Sequence, residues 1–189
     1  MTRLTNYKNQ AYILSILLLI VLSFGCAKQF IRPFDYQANQ EAVLQYQKAI
    51  NLKEQKKYEY AIVEFRRYID LYGDIYYGDE ALYNIAECLR SINQFTEALQ
   101  AYKLIIKNYK NSRYVPDSWY GIGECYKIDN EWIKSIKIFT KVMKKYTKTI
   151  WFEKSYNQII EITKMFPESK KFIKTQKKVE KLFKKLKKK

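Results

Sequence analysis

An all-α solenoid, built from stacked helical hairpins, is the fold this sequence predicts, and three observations predict it. First, the chain can be laid over itself at a fixed offset of 37 residues, with Ile85-Ala86-Glu87-Cys88 falling on Ile122-Gly123-Glu124-Cys125. Four columns keep that register: Phe65, Tyr102 and Phe139; Tyr72, Tyr109 and Tyr146; Ala61, Ala98 and Ser135; Ala49, Ala86 and Gly123. A period between 20 and 50 residues marks a stacked array in which no unit buries its apolar face alone. Second, the apolar spacing inside each unit is helical, as in Leu82, Ile85, Ala86 and Leu89 and again in Trp119, Ile122, Gly123 and Tyr126. These follow the i, i+3, i+4, i+7 rule. Third, the 189 residues contain only five Gly and three Pro, against 18 Tyr and 10 Phe, so long helices are easy and turn-rich β structure is not.

The elements follow in chain order. Residues 1–25 read as an export signal: Arg3 and Lys8 precede an apolar run from Ala11 to Phe24 that has the length of a signal-peptide core and is too short to span a bilayer. The run ends in Leu22-Ser23-Phe24-Gly25-Cys26, which resembles the lipobox of bacterial lipoproteins, with Leu22 one residue further from the Cys than usual and Phe24 at a normally small site. That resemblance implies lipidation of Cys26 and cleavage before it; the alternative is an ordinary secretory peptide in which Cys26 is incidental. Two or three acyl chains anchor stably where one does not. Ala27 follows the Cys where an Asp would imply retention in the inner membrane, so the resemblance implies the outer membrane. Residues 26–39 contain Pro33 and no helical period, and read as a lipidated tether.

Residues 40–166 hold three full hairpins and one further helix. Each hairpin has a helix A and a helix B: Glu41–Gln55 with Tyr58–Leu71, Asp79–Ile92 with Phe95–Tyr109, and Pro116–Asp129 with Glu131–Tyr146, followed by a fourth A helix at Phe152–Phe166. Pro116 suits a first helical turn, where its missing N–H leaves no bond unmade. The small residue in each A stripe, Ala86 or Gly123, allows close approach where Ala98 or Ser135 meets it. Residues 167–189 are Lys-rich. From 170 to 189 there are 11 Lys and one Glu, which accounts for +10 of the net +16. Phe172, Ile173, Val179, Leu182, Phe183 and Leu186 recur there at helical spacing, so a basic amphipathic helix is expected. It either caps the last repeat or touches anionic lipid headgroups.

Trp119, Gly123, Tyr126, Ser135 and Phe139 together resemble the tetratricopeptide repeat, over roughly Glu41 to Phe166. A period of 37 exceeds the ~34 of the commonest such repeats. The excess lies in the connectors Tyr72–Gly78, Tyr109–Val115 and Tyr146–Phe152. Lengthened connectors resemble those of bacterial envelope proteins, notably the BamD family of outer-membrane lipoproteins and the CpoB family associated with Tol-Pal. A lipidated Cys followed closely by repeats is similar to the BamD family. The resemblance implies a non-enzymatic outer-membrane lipoprotein, lipid-anchored and facing the periplasm. It would act as a protein-protein scaffold in β-barrel insertion, with an Omp85-type assembly protein and unfolded barrel clients as partners. The alternative is an envelope accessory docking cell-wall or Tol-Pal machinery.

The candidate site is a groove. A second stripe on each A helix carries Tyr46, Tyr83 and Tyr120 in one column, Glu87, Glu124 and Glu161 in another, and Arg90, Lys127 and Lys164 in a third. Repeated Tyr offers an amphipathic face with few rotors, suited to extended peptides. The plain reading of the charges is a solvated face of i, i+3 pairs, each contributing ~0.2 to 0.5 kcal/mol. No catalytic or metal residue is picked out: histidine is absent, which removes the commonest general base and metal ligand. Cofactors are expected to be none beyond the lipid on Cys26, and an exported protein rarely meets nucleic acid. Cys88 and Cys125 occupy equivalent positions on neighbouring repeats, ~8 to 10 Å apart across packed helices, and are expected as buried thiols, not a disulfide.

Overall fold

Small residues set the spacing of the helices in the computed structural model, which describes residues 36–73 and 77–188. Ala49, Ala61, Ala86, Ala98 and Ser135 are fully buried. Ala86 and Ala98 occupy one hairpin's contact, and Gly123 and Ser135 the next. In the latter the Ser135 hydroxyl donates to the Gly123 carbonyl at 2.8 Å, a bond possible only when the two backbones come close.

Eight helices make up the described residues, with no strand among them: α1 Tyr36–Glu54, α2 Tyr58–Tyr72, α3 Gly78–Ser91, α4 Phe95–Asn108, α5 Val115–Ile128, α6 Trp132–Lys145, α7 Ile150–Lys164 and α8 Lys170–Lys187. From α2 onward each helix packs on the next, α1 meets α2 through Tyr46 and Phe65, and the A helices α3, α5 and α7 also touch one another in series. Ala38–Lys189 form one compact unit; the remainder, Met1–Gln37, lies almost wholly outside the described residues. Residues 1–25, read above as an export signal, and Cys26 therefore lie outside the described residues. Among the described residues no helix is long and apolar enough to cross a membrane.

The 37-residue period is visible in the backbone. Lys56, Asn93 and Asn130 each adopt positive φ, at 59°, 63° and 58°, and each sits in the turn from helix A to helix B. At each turn the next residue's N–H reaches back five residues: Lys57 to Leu52 at 2.9 Å, Gln94 to Leu89 at 2.9 Å and Glu131 to Tyr126 at 2.8 Å. This is the Schellman arrangement, and Asn is among the few non-Gly residues at ease in it.

Two expectations are corrected. The tether was expected to extend to residue 39, but residues 36–39 already belong to α1, Tyr36–Glu54, a stretch with no Pro or Gly to interrupt a helix. The second concerns the repeat array, expected to end at the fourth A helix, with the Lys-rich helix beyond it as a cap or a lipid contact and not as part of a hairpin. Instead, α8 packs on α7 and touches α6, so it takes the place of a fourth B helix. Val179 is buried at the position 37 residues after Val142, with Ile105 and Tyr68 one and two periods earlier. Phe172 and Gln176 replace the small and aromatic residues of the earlier units, which hides the hairpin from a pattern search. Of the six apolar residues expected on one face, five pack into the last core cluster, and Ile173 stays exposed.

Cys88 and Cys125 are free and buried. Burial pushes their thiols up to about 11 and about 12, far from the thiolate that reacts. Both are expected to resist iodoacetamide at pH near 8 in the folded protein and to react fully in denaturant; alkylation of either under native conditions, read by mass spectrometry, would contradict the buried assignment.

Candidate recognition groove

Each Tyr of the expected column is flanked by aromatic residues on both sides, and Tyr46 also meets Tyr68 at 5.1 Å. Tyr46 lies 5.7 Å from Phe65 and 6.1 Å from Tyr77. Tyr83 lies 6.2 Å from Tyr102 and stacks on Tyr114 at 4.8 Å. Tyr120 lies 5.2 Å from Phe139 and 4.9 Å from Trp151. The first partner belongs to the B helix of the same hairpin, and the second to the start of the next A helix. Tyr77, Tyr114 and Trp151 thus form a further column at the 37-residue offset, and they are the reason the connectors are long and aromatic. Sequence reading missed this column although the offset that would find it was in hand. Offset aromatic contacts of this kind contribute ~0.5 to 1.5 kcal/mol each beyond their area, so the column Tyr residues hold successive repeats together as well as facing the groove.

The expected residues are not all brought together. Tyr83, Glu87, Arg90, Tyr120 and Glu124 line one cleft of about 260 Å³ between α3, α5 and α7, joined by Asp117, Gly121, Trp151 and Lys154. Tyr46 sits one repeat earlier, where its hydroxyl accepts from the Asn84 side-chain amide at 3.0 Å, and Lys53 donates to the same Asn84 at 2.6 Å. Lys127 is turned away, donating to Gln158 at 2.7 Å and pairing with Glu161 at 2.7 Å. Asp117, Trp151 and Lys154 were not foreseen. Asp117 lies in the first turn of α5, where an acidic residue reads as ordinary helix-dipole chemistry.

The charge pairing differs from the i, i+3 ladder. Glu87 pairs with Arg90 at 2.8 Å, but Arg90 also reaches Glu124 of the next A helix at 3.5 Å, and Lys127 pairs with Glu161 of α7 in place of Glu124. Stacked A helices put the equivalent residue of the next repeat as near as the one a turn away, and the pairs tie repeats together. Glu87 also accepts from the Tyr102 hydroxyl. Burial opposes the Arg90 charge, yet the Glu87 bond and its neighbouring carboxylates outweigh it and raise its pKa.

Two carboxylates in the cleft remain under-neutralised. Burial raises Asp117 above the ordinary carboxylate range, against its own backbone N–H. It raises Glu124 too, against the pull of Arg90. Groups with a raised folded-state pKa stabilise a fold below their ordinary pKa, and that contribution is lost as pH rises through the folded value, so at neutral pH both carboxylates weigh against the fold. The walls beside them are aromatic: burial pushes Tyr120 up to about 12, and the Lys154 ammonium rests over the Trp151 ring at 4.7 Å. Among the described residues no group of His, Cys, Asp and Glu could hold a metal ion. What the cleft can do chemically is hydrogen-bond, stack and pair charge along an extended segment.

Residues 80–112, from α3 into the connector after α4, match the tetratricopeptide repeat family model. The fold is a tetratricopeptide-type solenoid. Among solved structures it is similar to a MamA double mutant of strain RS-1, at 18% identity and a TM-score of 0.55 over 78% of this chain and 75% of that one. MamA from residue 41 onward, from Desulfovibrio magneticus RS-1, gives 18% identity and 0.53 over 77% and 73%. A crystal structure of the nearly identical tetratricopeptide-like repeats of a Podosopora anserina kinesin light chain, in a form with one substitution, gives 8% identity and 0.57 over 98% and 91%. At these identities the likeness is one of fold. No curated protein matches the sequence.

Proposed function

We propose that this protein is a non-enzymatic scaffold, lipid-anchored through Cys26 to the inner face of the outer membrane, that serves the assembly of β-barrel outer-membrane proteins. The observation that carries the scaffold reading is the cleft of α3, α5 and α7. Three successive repeats contribute its aromatic walls, Tyr83, Tyr120 and Trp151, and α5 contributes two carboxylates, Asp117 and Glu124, that lack full charge compensation; perturbed groups lining a concave surface mark a binding site. The occupant is an extended segment of an unfolded barrel client, and the docking partner is an Omp85-type assembly protein. The membrane side of the reading rests on the lipobox-like Leu22–Cys26 and on the short stretch between Cys26 and α1, which leaves no room for a trimerising coiled coil. The Lys-rich α8 adds contact with anionic lipid headgroups.

The test is retrieval and crosslinking in the same membranes. A tagged copy solubilised from membranes is expected to retrieve a large β-barrel assembly protein, and a photocrosslinker at Lys154 is expected to capture clients. Reversing Glu87 and Glu124 together with loss of Tyr83 and Tyr120 should abolish that capture. Because the two Tyr also hold repeats together, the charge reversals are measured alone as well, with circular dichroism to show the fold retained. Retrieval of cell-wall or Tol-Pal components without any barrel protein would replace the barrel-assembly reading with the envelope-accessory one, and unchanged crosslinking in the charge variants would remove the cleft.

A further inference from the structure

Charge in this solenoid is sorted by face. The A helices that line the groove are neutral or acidic: α3 has three acids against Arg90, α5 has two against Lys127, and α7 has two against two Lys. The B side turns basic toward the C-terminus. In α2 three acids face two Arg, α4 has two Lys and Glu97, α6 has five Lys and no acid, and α8 has nine Lys and Glu180. The lysines of α6 fall at i, i+3, i+7, i+10 and i+11, a single helical stripe. All five are exposed, opposite the face that carries Ser135, Phe139 and Val142 into the core. Lys137, Lys141, Lys144 and Lys145 with Thr140 line a recess of about 540 Å³, and among the described residues only Lys134 of the five lysines has an acidic partner, Glu131 at 2.8 Å. Helix α8 touches α6, and its own outward face is again lysine. Read as a linear sequence, the charge is a tail; in the fold it is two neighbouring helices.

We propose that the outer faces of α6 and α8 together form a docking surface for an anionic lipid bilayer, which lays the last two hairpins with their B side on the membrane and turns the cleft of α3, α5 and α7 away from it. This deepens the lipid contact given above to α8 and rests on that reading. The chemistry favours lipid over an acidic protein. Neither helix contains an Arg, whose rigid fork suits the fixed carboxylates of a protein surface. Lys is a compact, flexible point charge that needs no fixed partner geometry, as a fluid headgroup plane offers. An even stripe of ammonium groups gains attraction from each Lys that comes within a Debye length of the surface. An anchor at Cys26 is a single point of attachment and does not by itself select a face of the array, whereas a second contact through α6 and α8 fixes which face is presented to a partner.

The experiment is a lysine footprint on the full chain reconstituted in vesicles, either all phosphatidylcholine or about one third phosphatidylglycerol. Acylation of each Lys is read by mass spectrometry. In the anionic vesicles Lys137, Lys141, Lys144 and the outward lysines of α8 are expected to react several-fold more slowly than in the zwitterionic ones, and to recover in high salt, while Lys48 and Lys57 of the first hairpin are unchanged. Protection of α8 alone overturns the joint surface and leaves the tail contact standing. No protection of either helix overturns both, as does protection that appears only when an acidic protein is added. Equal protection in both kinds of vesicle assigns the effect to the anchor and also overturns the proposal. Retrieval of a barrel assembly protein is measured separately, so failure of the assembly role and failure of this surface are distinguishable.

Discussion

Gly123→Leu is expected to unfold the C-terminal half of the solenoid. A Cβ on Gly123 would lie 2.6 Å from the Phe139 ring, with further ring atoms at 2.8 and 2.9 Å, and Phe139 is fully buried with Tyr120 against it. Moving the ring aside would disturb Tyr120 and the core cluster around it. Overpacking of this kind costs about 1 to 3 kcal/mol, and leaving the Ser135 hydroxyl buried without its Gly123 carbonyl would add about 1 to 3 more. Against a total stability of about 5 to 15 kcal/mol, that is enough to separate α5 and α6. In an array stabilised by nearest neighbours the break stays local. Denaturant unfolding followed by circular dichroism should show lost helical signal at zero denaturant and a shallower slope, since less surface remains to be exposed. Gly123→Ala should do less harm, because alanine regains ~1 kcal/mol of helix propensity against the same close contact. Adding Phe139→Ala to the leucine variant should restore part of the loss. A leucine variant as stable as the parent would show that the two helices are not in close contact at Gly123.

Ending the chain after Glu168 should lower the melting temperature by about 5 to 10 °C, since each kcal/mol is worth ~2 to 4 °C in a domain of this size. The helix removed is a structural cap as well as a basic surface. Phe183 stacks on Phe152 at 4.8 Å and on Tyr156 at 4.0 Å, Phe172 stacks on Phe166 at 4.5 Å, and Val179 is buried. Each such side chain contributes about 1.5 to 3 kcal/mol when fully buried, and the ordering of 18 helical residues offsets part of that. The Lys187 to Glu153 pair at 3.1 Å is exposed on both sides and adds little. Phe183→Ala alone should reproduce much of the drop, which locates the effect in packing instead of charge. An unchanged midpoint in both variants would mean that α8 does not dock on α7.

The A-to-B turns, the buried small residues and the A-helix stripe were legible in the sequence because each is decided within one hairpin. Ala86 and Gly123 announce close approach by their size alone, and Cys88 and Cys125 were read as buried thiols from their equivalent positions on neighbouring packed helices. The groove was legible in part. Tyr83, Glu87, Arg90, Tyr120 and Glu124 meet as the helical wheel implies, whereas Tyr46 and Lys127 do not, because Asn84 and Glu161 of neighbouring helices engage them. Such partners lie 31 to 38 residues away and cannot be read from a single helix face. The connector column Tyr77, Tyr114 and Trp151 could have been found from the period, but its purpose could not.

By itself the sequence determined a period, and with it an array of helical hairpins, since amphipathic helices that cannot bury their faces alone have few options but to stack. It also determined the composition of each face and the lipobox-like residues before the array. Only the tertiary structure decided that α8 completes a fourth hairpin, that Arg90 and Lys127 pair across repeats, and that the lysines of α6 join those of α8 on one side. The physical reason is common to all three. Side-chain type and spacing are local properties of the chain, while charge pairing, ring stacking and the sharing of a surface depend on which helices come to lie within a few ångströms of one another.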